Sequence, residues 1–117
     1  AARHLEPNGL FLCDINTQAK LERLTRAPTW VNKFGRHLEL VKVTDGGRGL
    51  ANWNVRVFAN QSGSKYQLFE ENLKQISFPV EQIRDALTKQ FTKVKVIDAL
   101  GRKASSKSNR VYFVCKR

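Results

Sequence analysis

The last two strand-like segments of the chain, residues 94–97 and 110–115, are joined by a loop at residues 101–109 that is too short for a helical crossover. Strands joined in this way run antiparallel, because a parallel pair needs a long crossover, usually a helix. The other end of the chain carries a strand of a different kind. Residues 9–15 form an apolar run without alternation, the pattern of a strand covered on both faces in a parallel sheet. Pro7-Asn8-Gly9 before it reads as a tight turn, and Asp14 and Asn16 mark its carboxyl end. Together the two ends predict an α/β chain whose parallel sheet closes in an antiparallel hairpin.

Between these ends the texture changes. Asn16 or Thr17 is placed to cap a short helix carrying Ala19, Leu21 and Leu24, which Pro28 stops. Residues 38–43, 51–58 and 66–78 read as strands. They are separated by Asp45-Gly46-Gly47-Arg48-Gly49 and Asn60-Gln61-Ser62-Gly63-Ser64, both with hairpin composition. Trp53, Val55 and Val57 alternate with Asn54 and Arg56, which gives one covered face and one wetter face. An antiparallel three-stranded meander is expected. Pro79, at the favoured first helical position, then opens a helix that Glu81 supports and that runs to about Phe91. Val80, Ile83, Leu87 and Phe91 form its apolar stripe.

Composition limits the classes open to the chain. Its 117 residues, 41% hydrophobic, suit one folded domain. The chain contains no methionine, and we expect a fragment, with a trimmed initiator as the alternative. No apolar run reaches the length of a membrane span, and no signal peptide opens the chain. Cys13 and Cys115 lie inside apolar runs and show no zinc spacing, so buried free thiols, no metal and a cytoplasmic origin are expected. The net charge of +11 suits nonspecific nucleic acid, anionic lipid or an acidic partner. An acidic amino-terminal half would equally offset it.

Leu5-Glu6-Pro7-Asn8-Gly9-Leu10-Phe11 resembles the Leu-X-Pro-Gly-Gly turn of class I S-adenosylmethionine-dependent methyltransferases. Trp53-Asn54-Val55-Arg56-Val57-Phe58, Glu70-Glu71 and Ile76-Ser77-Phe78-Pro79 resemble the insert of uncharacterised bacterial small-molecule methyltransferases and, more distantly, of amino-sugar N-methyltransferases. Asn109-Arg110-Val111-Tyr112-Phe113-Val114-Cys115 resembles their last strand. The resemblance implies the carboxyl-terminal half of a Rossmann-like sheet, with the last strand between the fifth and the sixth. Residues 1–29 and 79–117 would belong to the core and residues 30–78 to the inserted antiparallel sheet. It implies methyl transfer from S-adenosylmethionine to a nitrogen or oxygen of a small molecule. This half would supply the substrate-side cover and be inactive alone, with the amino-terminal half or a second copy as its partner.

The cofactor site is expected outside this chain. Asp45-Gly46-Gly47-Arg48-Gly49 lies between antiparallel strands, whereas a nucleotide cradle needs a helix behind the loop. For the substrate, ligands of open α/β sheets bind beyond the carboxyl ends of strands, which singles out Asp14 and Asn16. Asp14 would orient an amine or hydroxyl nucleophile, or else anchor a loop. Trp30 would help to wall a pocket under a lid, with Trp53, Arg56 and Glu70 on the meander strands. Arg56 and Glu70 would face substrate or pair as surface charges. His37 is the candidate proton acceptor, with a surface structural role as the alternative. The competing function is a basic RNA-binding or dimerisation module without catalysis. Its support is Lys89, Lys93, Lys95, Arg102, Lys103, Lys107 and Arg110 interleaved with Tyr112 and Phe113.

Overall fold

A computed structural model describes residues 1–105 and 107–117. Ser106, in the expected loop at 101–109, lies outside the described residues. The chain divides into two compact units, residues 1–21 with 77–117, and residues 22–76.

The first unit is built on a three-stranded sheet of β1 (Leu10–Asn16), β6 (Lys93–Asp98) and β7 (Arg110–Lys116), in the order β1-β7-β6. β7 is antiparallel to both neighbours, so the last strand sits in the middle and β1 and β6 run parallel on either side. This is the arrangement that the resemblance implied. The turn into β1 is closed by the Gly9 N–H donating to the Glu6 carbonyl at 2.8 Å, and Asn8 takes a left-handed φ of 66°. Pro7 and Asn8 thus occupy the middle of a type II turn, where the second residue needs positive φ.

One face of this sheet is a core. Val111, Phe113 and Cys115 on β7 are fully buried. Phe11, Cys13 and Ile15 on β1, Val94 and Val96 on β6, and Val80, Ile83 and Leu87 of α2 (Val80–Thr88) pack around them. Phe11 stacks on Phe91 with ring centroids 5.6 Å apart. Burying a side chain such as Phe113 contributes about 2–3 kcal/mol, so this face holds the unit together.

The other face corrects the expectation for β1. Burial along β1 alternates, and Leu10 and Leu12 are 58% and 66% exposed. An apolar run predicts cover on both faces, but α2 and the short amino-terminal 3-10 turn (Ala2–His4) pack on one face only. α2 also starts one residue later than expected. Pro79, extended at φ −53° and ψ 138°, stands just before the helix, which ends at Thr88 rather than near Phe91. Thr17 is the capping residue of α1 (Gln18–Arg26), accepting the Lys20 N–H at 3.2 Å.

The second unit is an antiparallel sheet of four strands, not three. β2 (Trp30–Phe34), β3 (His37–Gly47), β4 (Leu50–Ser62) and β5 (Lys65–Ile76) each pair with the next. Trp30 to Phe34, expected in a lid, is the edge strand β2. The Asp45–Gly49 stretch is the β3–β4 hairpin, with Arg48 and Gly49 both left-handed at φ 54° and 75°. Two positive φ values make a primed two-residue turn that follows the twist of the flanking strands. Val41, Val43 and Ala51 lie on the covered face of the sheet.

Candidate functional site

Of the residues singled out from the sequence, Asp14 and Asn16 belong to the first unit, and Trp30, His37, Trp53, Arg56 and Glu70 to the second.

Asp14 and Asn16 are one strand repeat apart, so they share a face of β1. Arg110, directly opposite Asn16 in register, joins them. Its guanidinium forms an ion pair with Asp14 and donates to Asn16 Oδ1 at 3.0 Å. Lys20 Nζ donates to the same Asn16 oxygen at 3.1 Å. The backbone beyond β1 is also fixed. The buried Ser77 hydroxyl donates to the Asn16 carbonyl at 2.8 Å, and Gln18 Nε2 donates to the Ser77 carbonyl. The Thr17 hydroxyl reaches the Ser108 carbonyl at 2.5 Å. The carboxyl end of β1 is therefore a polar knot of two side-chain acceptors and two cations. Arg110, Ser77 and Thr17 were not singled out as site residues. Only strand register could have found Arg110, and that is not written in local sequence.

In the second unit Trp30 and Trp53 meet edge to face, with centroids 6.1 Å apart and planes at 88°. Arg56 and Glu70 face each other across β4 and β5, and Glu70 accepts from Asn54 Nδ2 at 3.2 Å. Alternation puts the tryptophans on one face of the sheet and Arg56 with Glu70 on the other. The Trp53 indole N–H and Arg56 Nε are buried and have no hydrogen-bond partner among the described residues. His37, opposite Phe34 at the β2–β3 turn, accepts the Asn60 N–H on Nδ1 at 3.0 Å. The proton of the neutral ring then sits on Nε2 and makes that nitrogen a donor. To take up a proton, His37 would first have to release Asn60.

Electrostatic shifts fall elsewhere. Backbone N–H groups of Arg102 and Leu100, with the Arg102 side chain, hold the Asp98 carboxyl below the usual carboxylate range. Burial raises the Cys13 and Cys115 thiols, helped by the Asp14 charge at Cys13 and by Cys13 at Cys115. Such thiols are poor nucleophiles. Among the described residues no cluster of His, Cys, Asp or Glu could hold a metal ion, and no helix is long and apolar enough to cross a membrane.

No strand, glycine loop and helix follow one another among the described residues, and the one glycine-rich stretch is a hairpin turn. The residues present do not form a nucleotide cradle for S-adenosylmethionine.

The fold is nevertheless known from solved structures. The chain is similar to an S-adenosylmethionine-dependent methyltransferase from Clostridium acetobutylicum, with a TM-score of 0.80 at 19% identity, over 98% of this chain and 47% of that one. It is also similar to the CcbJ methyltransferase from Streptomyces caelestis, with a TM-score of 0.56 at 21% identity, over 97% of this chain and 45% of that one. The architecture is therefore part of a Rossmann-like methyltransferase fold, and the chain spans about half the length of these proteins. No protein-family model and no curated protein matches the sequence.

Proposed function

We propose that the chain is the carboxyl-terminal half of a bacterial-type S-adenosylmethionine-dependent methyltransferase that methylates a nitrogen or oxygen of a small molecule. The observation that carries the reading is the β1-β7-β6 order, in which the outer edge of β1 has no partner among the described residues. In a complete Rossmann-like sheet that edge would meet a further parallel strand, and the exposed Leu10 and Leu12 would be covered. The fold likeness over nearly the whole chain supports the same reading.

In this reading the cofactor belongs to the other half, and this half covers the substrate. Methyl transfer asks chiefly for alignment of donor and acceptor and exclusion of water. The Trp30–Trp53 pair offers an aromatic wall for that purpose, and the unpartnered Trp53 N–H offers a hydrogen bond to an acceptor. Arg56 and Glu70 offer opposite charges on the other face. Asp14 and Asn16, held by Arg110, would act by keeping the end of β1 rigid. The half would work in the cytoplasm, paired with its amino-terminal half or with a second copy.

The test compares the 117-residue chain with the longest reading frame that contains it. Calorimetry and transfer of a radiolabelled methyl group to a panel of small amines and alcohols are the readouts. The longer protein should bind the cofactor one to one and transfer methyl, and the chain alone should do neither. A tight complex with the chain alone would sink the half-enzyme role. A longer protein that ignores the cofactor would sink methyl transfer.

One observation favours a second reading, nonspecific nucleic-acid binding. The open face of the first sheet aligns Lys93 with Lys116 and Ile97 with Tyr112, and it also carries Lys95 and Arg110. Cations around an aromatic ring form the kind of surface on which single strands stack.

A further inference from the structure

β5 is the edge strand of the second unit. β4 bonds one of its edges, and among the described residues no strand lies on the other. Its 12 residues contain no proline, and Leu68 and Ile76 are each 51% exposed. A long open edge with bare apolar side chains is a template for pairing with another chain. Alternate residues of a strand share a face, so Leu68, Glu70, Asn72, Lys74 and Ile76 form one row.

That row is its own complement. With a second β5 laid antiparallel about a twofold axis at Asn72, Leu68 meets Ile76 of the second copy, Glu70 meets Lys74, and Asn72 meets itself. Apolar and opposite-charge pairs set directly across two strands stabilise them. Neither Glu70 nor Lys74 has an ion-pair partner among the described residues. An axis at Glu70 or at Glu71 would set that glutamate against its own twin, and like charges so placed are destabilising. An axis at Leu73 would set Glu70 against Ile76. Residues 68–76 carry two glutamates and one lysine, so the cations behind the net charge of +11 lie outside this segment.

We infer that β5 pairs with β5 of a second copy of this chain, antiparallel about Asn72, and joins two four-stranded sheets into one. The inference concerns the second unit by itself and holds whether or not the chain takes part in methyl transfer.

The test is disulfide cross-linking, read on non-reducing gels after mild oxidation. Directly opposed Cα atoms of an antiparallel pair lie about 4.5–5.5 Å apart, within reach of a disulfide. Asn72→Cys should therefore link to its own twin, well above the background of the unchanged chain, which keeps Cys13 and Cys115. Leu68→Cys alone should not, because its two copies would stand about 27 Å apart along the seam. A mixture of Leu68→Cys and Ile76→Cys chains should link to each other. In the Asn72→Cys chain, Lys74→Glu places two like-charge pairs across the seam and should slow the linking by about tenfold. Asn72→Cys linking no faster than the background would overturn the inference. So would equal linking at 68 and 72, a mixture that links no better than its parts, or indifference to Lys74→Glu.

Discussion

Arg110 on β7 is ion-paired with Asp14 on β1, ninety-six positions earlier in the chain, across a register in which Arg110 stands opposite Asn16. The bond is a diagonal brace between the middle strand of the sheet and its outer strand. The Arg110 and Asp14 side chains are 40% and 37% exposed, so solvent screens much of the attraction. A double-mutant cycle with Asp14→Asn and Arg110→Gln should give a coupling of about 0.5–1 kcal/mol in urea unfolding. A coupling near zero would return Asp14 to the role of a substrate-orienting group.

Asn8 holds a left-handed backbone at φ 66° in the turn that starts β1. Alanine has no local hydrogen bonding to offset that conformation, so Asn8→Ala should lower stability by about 1–2 kcal/mol. Asn8→Gly should stay within about 0.5 kcal/mol of the natural chain, since glycine enters the region without strain. Chemical denaturation of the three proteins checks the order.

The Asp98 carboxyl is held below the usual carboxylate range because the backbone N–H groups of Arg102 and Leu100 and the Arg102 side chain favour the carboxylate. A lowered folded-state value contributes stability above the unfolded-state pKa and loses it as pH falls through the folded-state value. The natural chain should therefore lose stability on acidification below about pH 4 more steeply than Asp98→Asn, which cannot titrate. Thermal melts across the acid range measure the two slopes, and parallel slopes would remove Asp98 from the account.

Among the described residues β1 leaves one edge without a partner, and Leu12 beside it is 66% exposed. Open edges and bare apolar side chains both promote association. The 117-residue chain alone should sediment as a dimer or larger at moderate salt, and Leu12→Lys should shift it toward monomer. A clean monomer with cooperative unfolding would show that the chain needs no second half.

The net charge of +11 predicts nucleic-acid binding that collapses with salt. Each phosphate contact releases counterions, so affinity should fall by orders of magnitude when salt rises severalfold. Affinity for one RNA sequence that survives raised salt would promote the second reading over methyl transfer.

Much of the fold was legible because its signals are local. The short link between β6 and β7 dictated their direction, Pro7-Asn8-Gly9 announced the turn, and Thr17 capped α1 as its residue type suggests. β2 was missed because Trp30, Val31 and Phe34 are spaced by three and four, as on a helix, and do not alternate as on a strand; pairing with β3 makes the segment extended. Cover on the second face of β1 was overread because an apolar run records what a strand can bury, not what is present to bury it. The candidate site was legible only as residue types. That Arg110 takes up Asp14, and that Trp53 and Glu70 lie on opposite faces, follows from register and pleat, which no local window contains.

The central place of β7 orders the events of folding. β1 and β6 bond to β7 and not to each other, and β7 is the last of the three in chain order, so neither can form its pairing with β7 until that strand has been made. In the second unit every strand pairs with its immediate successor, and short loops close quickly. The inserted sheet can therefore form while the edge of β1 that faces β7 still waits for its partner, and during that interval a chaperone or a neighbouring chain competes for that edge.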